Sequence, residues 1–391
     1  MMHLGDITKI HGHEVPITDV VIGGSPCQDL SVAGKREGLD GERSGLYIEQ
    51  VRIVKEMRAQ DERNGRTGVD IRPRYMVWEN VPGAFSSNKG DDFRIVLEEL
   101  AKVKDKDAVI PMPDKGKWTN SGCIVGDGWS IAWRILDSQF WGVPQRRRRI
   151  ALVADFGGQS APEILFVRKS LSGHTDESQP KRKEAPTDAS RGFGADDSIG
   201  ADQYNAVILG DRVSTLGVNC GMSHGRQCVL EPMPYTLKIR GGVSVDCRNG
   251  TESDVNGALQ SNSAHSLNGH NVIRTRYIVR RLTPMECERL QGYPDGWTDI
   301  GEWTDTKGKR CKTSDASRYR ALGNSIALPP WKWLLKRLCA CYERDATMAS
   351  LFDGIGGFPY LWEQINGKGT CLWASEIEEF PIAVTKVRIG E

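Results

Sequence analysis

Four groups of reactive side chains stand at the ends of short apolar runs in this sequence. Cys27 lies in GGSPCQ, directly after the apolar run 19–22. A lone cysteine is most often a small buried hydrophobe. A Gly-Gly-Ser-Pro loop ahead of a helix-compatible stretch argues against that here, because thiolates become nucleophilic when exposed at a helix start or beside cations. Arg146 to Arg149 of GVPQRRRRIAL are such cations, and an arginine run that opens an alternating strand cannot turn every side chain to solvent. Glu79 closes the run YMVWE and precedes Asn80. A carboxylate at a strand's carboxyl end suits acid–base or hydrogen-bonding work, although a helix cap or a surface acid reads the same. The fourth group is LFDGIGGF at 351–358, with Glu376 at the end of the next apolar run. A strand, a glycine-rich turn and a helix bring backbone N–H groups close to a ligand, and the following acid can hold a ribose hydroxyl pair. A turn with no ligand is the competing reading. Asp353 would sit badly beside a pyrophosphate; a phosphate-free, cationic cofactor such as S-adenosylmethionine fits it better.

These groups need a scaffold. Apolar runs at 19–22, 75–78 and 150–154 alternate with amphipathic stretches at 48–58 and 93–102, which predicts βα units around a parallel sheet over residues 1–156. In such sheets the site lies at the carboxyl ends of the strands. From 157 to 274 the text turns to Gly, Ser, Asn and Asp, giving short strands and loops, with 169–192 a polar, Pro-containing loop. Helices are predicted at 284–291, capped by Thr283 and ended by Gly292, and at 329–342. Residues 348–391 read again as strand, turn, helix, strand. With 391 residues, two to three folding units are expected, and 39% hydrophobic and 26% charged residues exclude disordered and collagen-like classes. The 52 basic and 51 acidic residues nearly cancel, so any nucleic-acid or membrane surface must be local. No apolar run approaches the ~18 residues of a membrane span, and MMHLGDITKI has no secretory core; a cytoplasmic protein is expected. Ten cysteines without a CxxC pair suit reduced thiols. Cys220, His224, Cys228 and Cys247 lack the paired spacing of structural zinc sites, so no metal is expected, and His11 and His13 read as a solvated loop.

GSPCQ at 24–28, ENV at 79–81, QRRRR at 145–149, RRLTPMECERLQGYP at 280–294, RYRALGNSIALPP at 318–330 and LFDGIGGF at 351–358 together resemble the motif set of the DNA (cytosine-5)-methyltransferases, in wording closest to the phage and prophage type of bacteria. The resemblance implies an α/β fold: a Rossmann-like sheet of the S-adenosylmethionine-dependent methyltransferases plus a smaller, loop- and strand-rich target-recognition domain. It implies Cys27 as the nucleophile that adds to C6 of cytosine, Glu79 as the group holding N3 and the exocyclic amine, and Arg149, supported by Arg147, as the contact to O2. The target base must be flipped from the duplex. For S-adenosyl-L-methionine it implies contacts from Phe352, Asp353, Gly354, Ile355 and Gly356, from Glu376 and Ile377, from Asp6 and Ile7, and from Pro26, Leu46, Asn324 and Ser325.

The motif order departs from the family's usual one, because the cofactor loop stands last. Read end into beginning, the passage is continuous, so the sequence resembles a circularly permuted member. The expected consequence is a single sheet made from 1–156 and 348–391, with 157–274 as the recognition domain and 275–347 as a return to the catalytic part with hinge helices. Within the recognition region, 238–242 and 256–271 are the candidate DNA-reading segments. The expected partner is double-stranded DNA, read by a monomer, with a cognate restriction endonuclease only as a genetic partner. Rival readings are the family's tRNA-methylating branch and a catalytically silent DNA-binding protein.

Overall fold

Strands that are apolar at every position must be covered on both faces, and this rule shapes the molecule. The computed structural model describes residues 1–25, 45–166 and 282–390 with their side chains, and between 199 and 281 the backbone of seven strands. In chain order the elements are β1 (Met2–His3), β2 (Val20–Gly23), α1 (Leu46–Arg63), β3 (Tyr75–Asn80), α2 (Asp91–Ala101), β4 (Ser121–Gly126), β5 (Trp129–Asp137), β6 (Arg148–Asp155) and α3 (Ala161–Leu165). Then come β7 (Ile199–Asp202), β8 (Val207–Gly210), β9 (Gln227–Pro232), β10 (Val243–Asp246), β11 (Thr251–Ser253), β12 (Val272–Arg274) and β13 (Tyr277–Arg281). The chain continues through α4 (Pro284–Gln291), β14 (Glu302–Thr304), β15 (Arg310–Lys312), α5 (Asp315–Asn324), α6 (Leu328–Cys339), β16 (Met348–Leu351), α7 (Gly357–Asn366), β17 (Cys371–Ser375) and α8 (Glu379–Ile389).

Eight strands form one sheet in the order β1-β17-β16-β2-β3-β6-β5-β4. The fold is α/β as expected, and strands from both stretches of the sequence share the sheet: β16 pairs with β17 on one side and β2 on the other, all parallel. Alternate residues supply the two faces, as a period of two requires. Val20, Ile22, Tyr75 and Val77 join the core under α4, α5, α6 and α7. Val21, Met76, Trp78, Leu351 and Trp373 join the core under α1 and α2.

The expectation of a parallel sheet holds only for the first five strands. β6 runs antiparallel to β3, and β5 and β4 follow antiparallel. The cause is a hairpin outside the expected βα units: β4 and β5 are joined through Asp127–Gly128, and a short connection returns β5 to β6, which forces antiparallel pairing. In β4 Gly122 and Gly126 lie against the indoles of Trp133 and Trp129, where an added Cβ would collide. Its alternation of exposed and half-buried residues marks an edge strand. Helix α4 forms as predicted: Thr283 accepts from Glu286 N, Glu286 reaches back to Thr283, Pro284 opens the helix and Gly292 ends it at φ +80°. Between 199 and 281 the strands form a four-stranded sheet, β13-β9-β7-β8, and a three-stranded one, β11-β10-β12. Segments 169–192, 238–242 and 256–271, and the Cys220, His224 and Cys247 positions, lie outside the described residues.

Candidate active site

Strand register decides which residues leave the sheet together. Gly23 pairs with both Leu351 and Trp78, and Leu351 with Ser375. The next residues of four parallel strands, Gly24, Glu79, Phe352 and Glu376, therefore stand abreast at the carboxyl edge. Because β6 is antiparallel, it is its first residues that reach this edge. Arg149 Nε lies 2.8 Å from Glu79 Oε1, with both side chains about six-sevenths covered, at 15% and 14% exposure. Gly24 packs so closely on Glu79 that a Cβ there would approach Oε2 to 2.9 Å. Ser25, the last described residue before Pro26 and Cys27, is buried and held by Trp78 Nε1 at 3.0 Å and Asn80 Nδ2 at 3.5 Å. The stem of the cysteine loop is thus fixed beside the Glu79–Arg149 pair, while Pro26 and Cys27 themselves lie outside the described residues.

The arginine run divides as strand alternation demands: Arg146 and Arg148 are exposed, Arg147 is buried and Arg149 half-buried. Arg147 does not join Glu79. Its guanidinium donates to Gly323 O at 3.1 Å and to Ser325 O, clamping the turn that follows α5. That clamp sets Asn324, which is exposed, and Ser325, whose Oγ lies 2.5 Å from Tyr293 Oη. Burial pushes the Tyr293 phenol well above its ordinary range. Tyr293 and Ile326 in turn pack against Gly357, where no Cβ would fit, so the 324–326 turn sits on the first residue of α7. Sequence reasoning did not single out Tyr293, although QGYP closes the motif at 280–294, nor Trp297 just beyond it; Trp297 Nε1 donates to Ile355 O at 2.9 Å and pins the glycine-rich turn.

That turn is tightly built. Phe352 has φ +54°, a strained value for a side chain that is not glycine. Gly354 and Gly356 also have positive φ, and above Gly354 there is open space. Glu376 accepts from Gly354 N at 2.7 Å through one oxygen, and from Ile377 N and Glu378 N at 2.8 and 2.9 Å through the other. Ile355 is fully buried, and Ile377 is 70% exposed. Asp353 points beneath the turn: Ser350 Oγ donates to it at 2.6 Å and Thr385 Oγ1 at 3.4 Å. Burial raises its carboxyl to about 7, Glu376 adds to the rise, and the Ser350 and Thr385 hydroxyls oppose it. Along the next strand, Leu4 N donates to Ala374 O and Ser375 Oγ to Gly5 O, which sets Asp6 and Ile7 beside Glu376. Asp6 caps a one-turn helix, accepting from Thr8 N at 3.0 Å, a bond that with the Thr8 hydroxyl lowers its carboxyl pKa; Ile7 is buried. Leu46 and Phe352, both half-buried, flank the same core. The edge thus offers carboxylates, an uncovered apolar face at Ile377 and room above Gly354, a donor set that fits a cationic nucleoside without phosphates. Among the described residues no group of His, Cys, Asp and Glu could hold a metal ion, and no helix is long and apolar enough to cross a membrane.

Comparison with known proteins follows the same lines. A sequence profile described as C-5 cytosine-specific DNA methylase matches residues 1–104 and 125–339. The chain is 29% identical over 438 residues to a protein named DNA N-6-adenine-methyltransferase of Escherichia phage P1, covering 88% of this chain and 56% of that protein. It is 25% identical over 345 residues to type II methyltransferase M1.ScrFI of Lactococcus lactis subsp. cremoris, covering 87% and 67%. Against type II methyltransferase M2.BsuMI of Bacillus subtilis strain 168 it is 25% identical over 339 residues, covering 85% and 62%. The chain therefore spans between about half and two thirds of the length of these relatives. Among solved structures, the S. pombe Dnmt2 methyltransferase aligns with a TM-score of 0.41 at 17% identity, over 86% of this chain and 83% of that one. Enzymes of the matched family depend on S-adenosylmethionine. The chain belongs to the C-5 cytosine-specific DNA methylase family.

Proposed function

We propose that this chain methylates C5 of cytosine in a specific double-stranded DNA sequence, with Cys27 attacking C6 of a base flipped from the helix. The observation that carries the reading is the Glu79–Arg149 pair, 2.8 Å apart and abreast of the cofactor turn. Cytosine C5 is a weak nucleophile. When the Cys27 thiolate bonds to C6, the ring's 5,6 electron pair moves toward N3 and O2, leaving C5 an enamine carbon. Glu79 would hold N3 and the exocyclic amine, and Arg149 would face O2, so that charge developing on the ring meets fixed partners. C5 takes the methyl group, loses its proton to a base, and the S–C6 bond breaks to restore the ring. Bound S-adenosylmethionine supplies that methyl group in electrophilic form on a sulfonium. Glu376, Asp6 and Asn324 would hold its polar groups, Ile377 and Leu46 would cover its apolar ones, and Gly354 leaves it room. Arg147 acts at one remove, by holding the Asn324–Ser325 turn. We assign 1–156 and 275–391 to the catalytic part and 157–274 to target recognition.

The phage P1 relative is named for adenine N6. Transfer to an exocyclic amine needs no thiol addition, and the Cys27, Glu79, Arg149 set together with the family match favours cytosine. Bisulfite sequencing and nucleoside mass spectrometry of DNA from cells expressing the wild type or Cys27→Ser test this directly. Expected is 5-methylcytosine at one sequence in the wild type and none in the variant. Equal methylation in both, N6-methyladenine alone, or tRNA as the only acceptor would sink the reading.

A further inference from the structure

The hairpin of β14 and β15 carries a charge arrangement that the proposed chemistry does not use. Within six residues Lys307, Lys309, Arg310 and Lys312 are all exposed, and among the described residues none of them has a hydrogen-bonded or ion-paired side-chain partner. The carboxylates around them are engaged elsewhere. Glu379 accepts from Thr306 N at 2.8 Å and from Thr306 Oγ1 through its other oxygen, Glu378 pairs with Arg320 at 2.6 Å, and Asp305 accepts from Lys307 N and Lys309 N at 3.0 and 2.8 Å. Glu302, opposite Lys312 in the register, is the one carboxylate of the hairpin facing its cations. Most arginines in the rest of the described chain are paired, such as Arg52, Arg74, Arg94, Arg289, Arg318 and Arg344. The hairpin is also braced: Trp303 stacks edge-on to Phe380 at 5.8 Å, and Thr313 N donates to Gly301 O at 2.8 Å. A short braced hairpin with unneutralised cations matches a polyanion of regular spacing.

Its location fits as well. Glu378 and Glu379 begin α8, directly after Glu376 at the carboxyl edge of β17, so the hairpin stands on the rim of the face that holds the candidate site. From Glu79 on β3 to β17 there are three strand intervals of ~4.8 Å, and the hairpin is tied to the start of α8, just after β17, through Thr306 and Glu379. Those three intervals equal roughly the rise of four base pairs at ~3.4 Å each. We propose that the β14–β15 hairpin grips phosphates of the duplex flanking the target site, setting affinity and not sequence choice. This rests on the reading that duplex DNA is the substrate.

The test is fluorescence-anisotropy binding of the full chain to a ~30-base-pair duplex of arbitrary sequence over a range of salt concentrations. Compared are the wild type, a variant with Lys307→Gln, Lys309→Gln, Arg310→Gln and Lys312→Gln, and a charge-matched control with Lys104→Gln, Lys106→Gln, Lys336→Gln and Lys368→Gln, exposed cations towards the amino end of the sheet. Each phosphate contact contributes about 0.9 to the slope of log affinity against log salt. The hairpin variant is expected to lose about two to four units of slope and at least tenfold in affinity at ~0.1 M salt, with its melting temperature unchanged and the control like the wild type. An unchanged slope, an equal loss in the control, or tRNA displacing the duplex at lower concentration would overturn the proposal. Because binding reads no chemistry, a wild type that transfers no methyl group refutes the proposed function without touching this result.

Discussion

The two ends of the central sheet both bury carboxylates, and they treat them in opposite ways. At the amino end Asp19, 1% exposed, receives both terminal nitrogens of Arg344 at 2.8 and 2.6 Å, Arg72 at 3.0 Å and the Thr347 amide at 2.8 Å. Burial pushes its carboxyl up, but the Arg344 and Thr347 bonds and the Arg72 charge outweigh this and hold it below the usual range. Asp155 is likewise saturated by Arg74, Ser160 and the Gly157 amide. At the carboxyl end Asp353 has hydroxyls and no cation, Glu376 has three backbone amides, and Glu79 has one arginine at one oxygen. A buried ion that is fully paired stabilises a structure and reacts with nothing; an incompletely paired one retains capacity for a ligand. The contrast assigns stability to the amino end and chemistry to the carboxyl end.

Three substitutions test that contrast. The largest effect is expected for Glu79→Gln. Methyl transfer to DNA, followed with labelled donor, should fall by about 10²–10³-fold, the scale for losing one charge-stabilising group, with thermal unfolding little changed. A large drop in melting temperature with activity per folded molecule intact would reverse the assignment. Asp19→Ala should do the opposite. Removing the carboxylate orphans Arg72, Arg344 and the Thr347 amide and is expected to destabilise by about 3 kcal/mol, read in denaturant unfolding, while kcat of the folded fraction holds. In the wild type the Asp19 contribution is present above its unfolded pKa and lost as pH falls through the lowered folded value. Asp353→Asn is the smallest and the most diagnostic. With its folded pKa raised to about 7 against an ordinary value near ~3.9, the folded state keeps a proton that the unfolded chain has released. Stability should therefore fall as pH rises between roughly 4 and 7 and level off above. The Asp353→Asn variant should show a flatter profile, gaining on the order of 1–3 kcal/mol over wild type at pH 8. Parallel stability–pH curves for the two proteins would show that Asp353 is not held protonated.

How much of this could be read in advance depends on the range of the interactions. The start and stop of α4 were legible because Thr283, Pro284, Glu286 and Gly292 act within a short stretch of chain. The split of the arginine run was legible for the same reason, since neighbouring residues on a strand face opposite ways. The β4–β5 hairpin was legible only at its Asp127–Gly128 turn: its first strand holds glycines at 122 and 126 whose purpose is visible only once Trp133 and Trp129 lie against them. Arg147 was expected to support Arg149, but its guanidinium meets Gly323 and Ser325, 176 and 178 positions along, a pairing that no local pattern encodes. Asp353 was expected to face the cofactor, but in the turn after β16 it points inward, where the Ser350 and Thr385 hydroxyls donate to it.

Local order along the chain was enough to mark the reactive side chains, the elements that carry them and the family, because residue type, capping and period-two or helical spacing are properties of near neighbours. Strand order is a different matter: that β16, near the end of the numbering, lies between β17 and β2 emerged only in the folded molecule. From that position follow the alignment of Gly24, Glu79, Phe352 and Glu376 along one edge and the antiparallel arrival of Arg149 beside Glu79. Strand order and register are chosen by burial on both faces of the sheet at once, a condition that residues far apart in sequence meet only together.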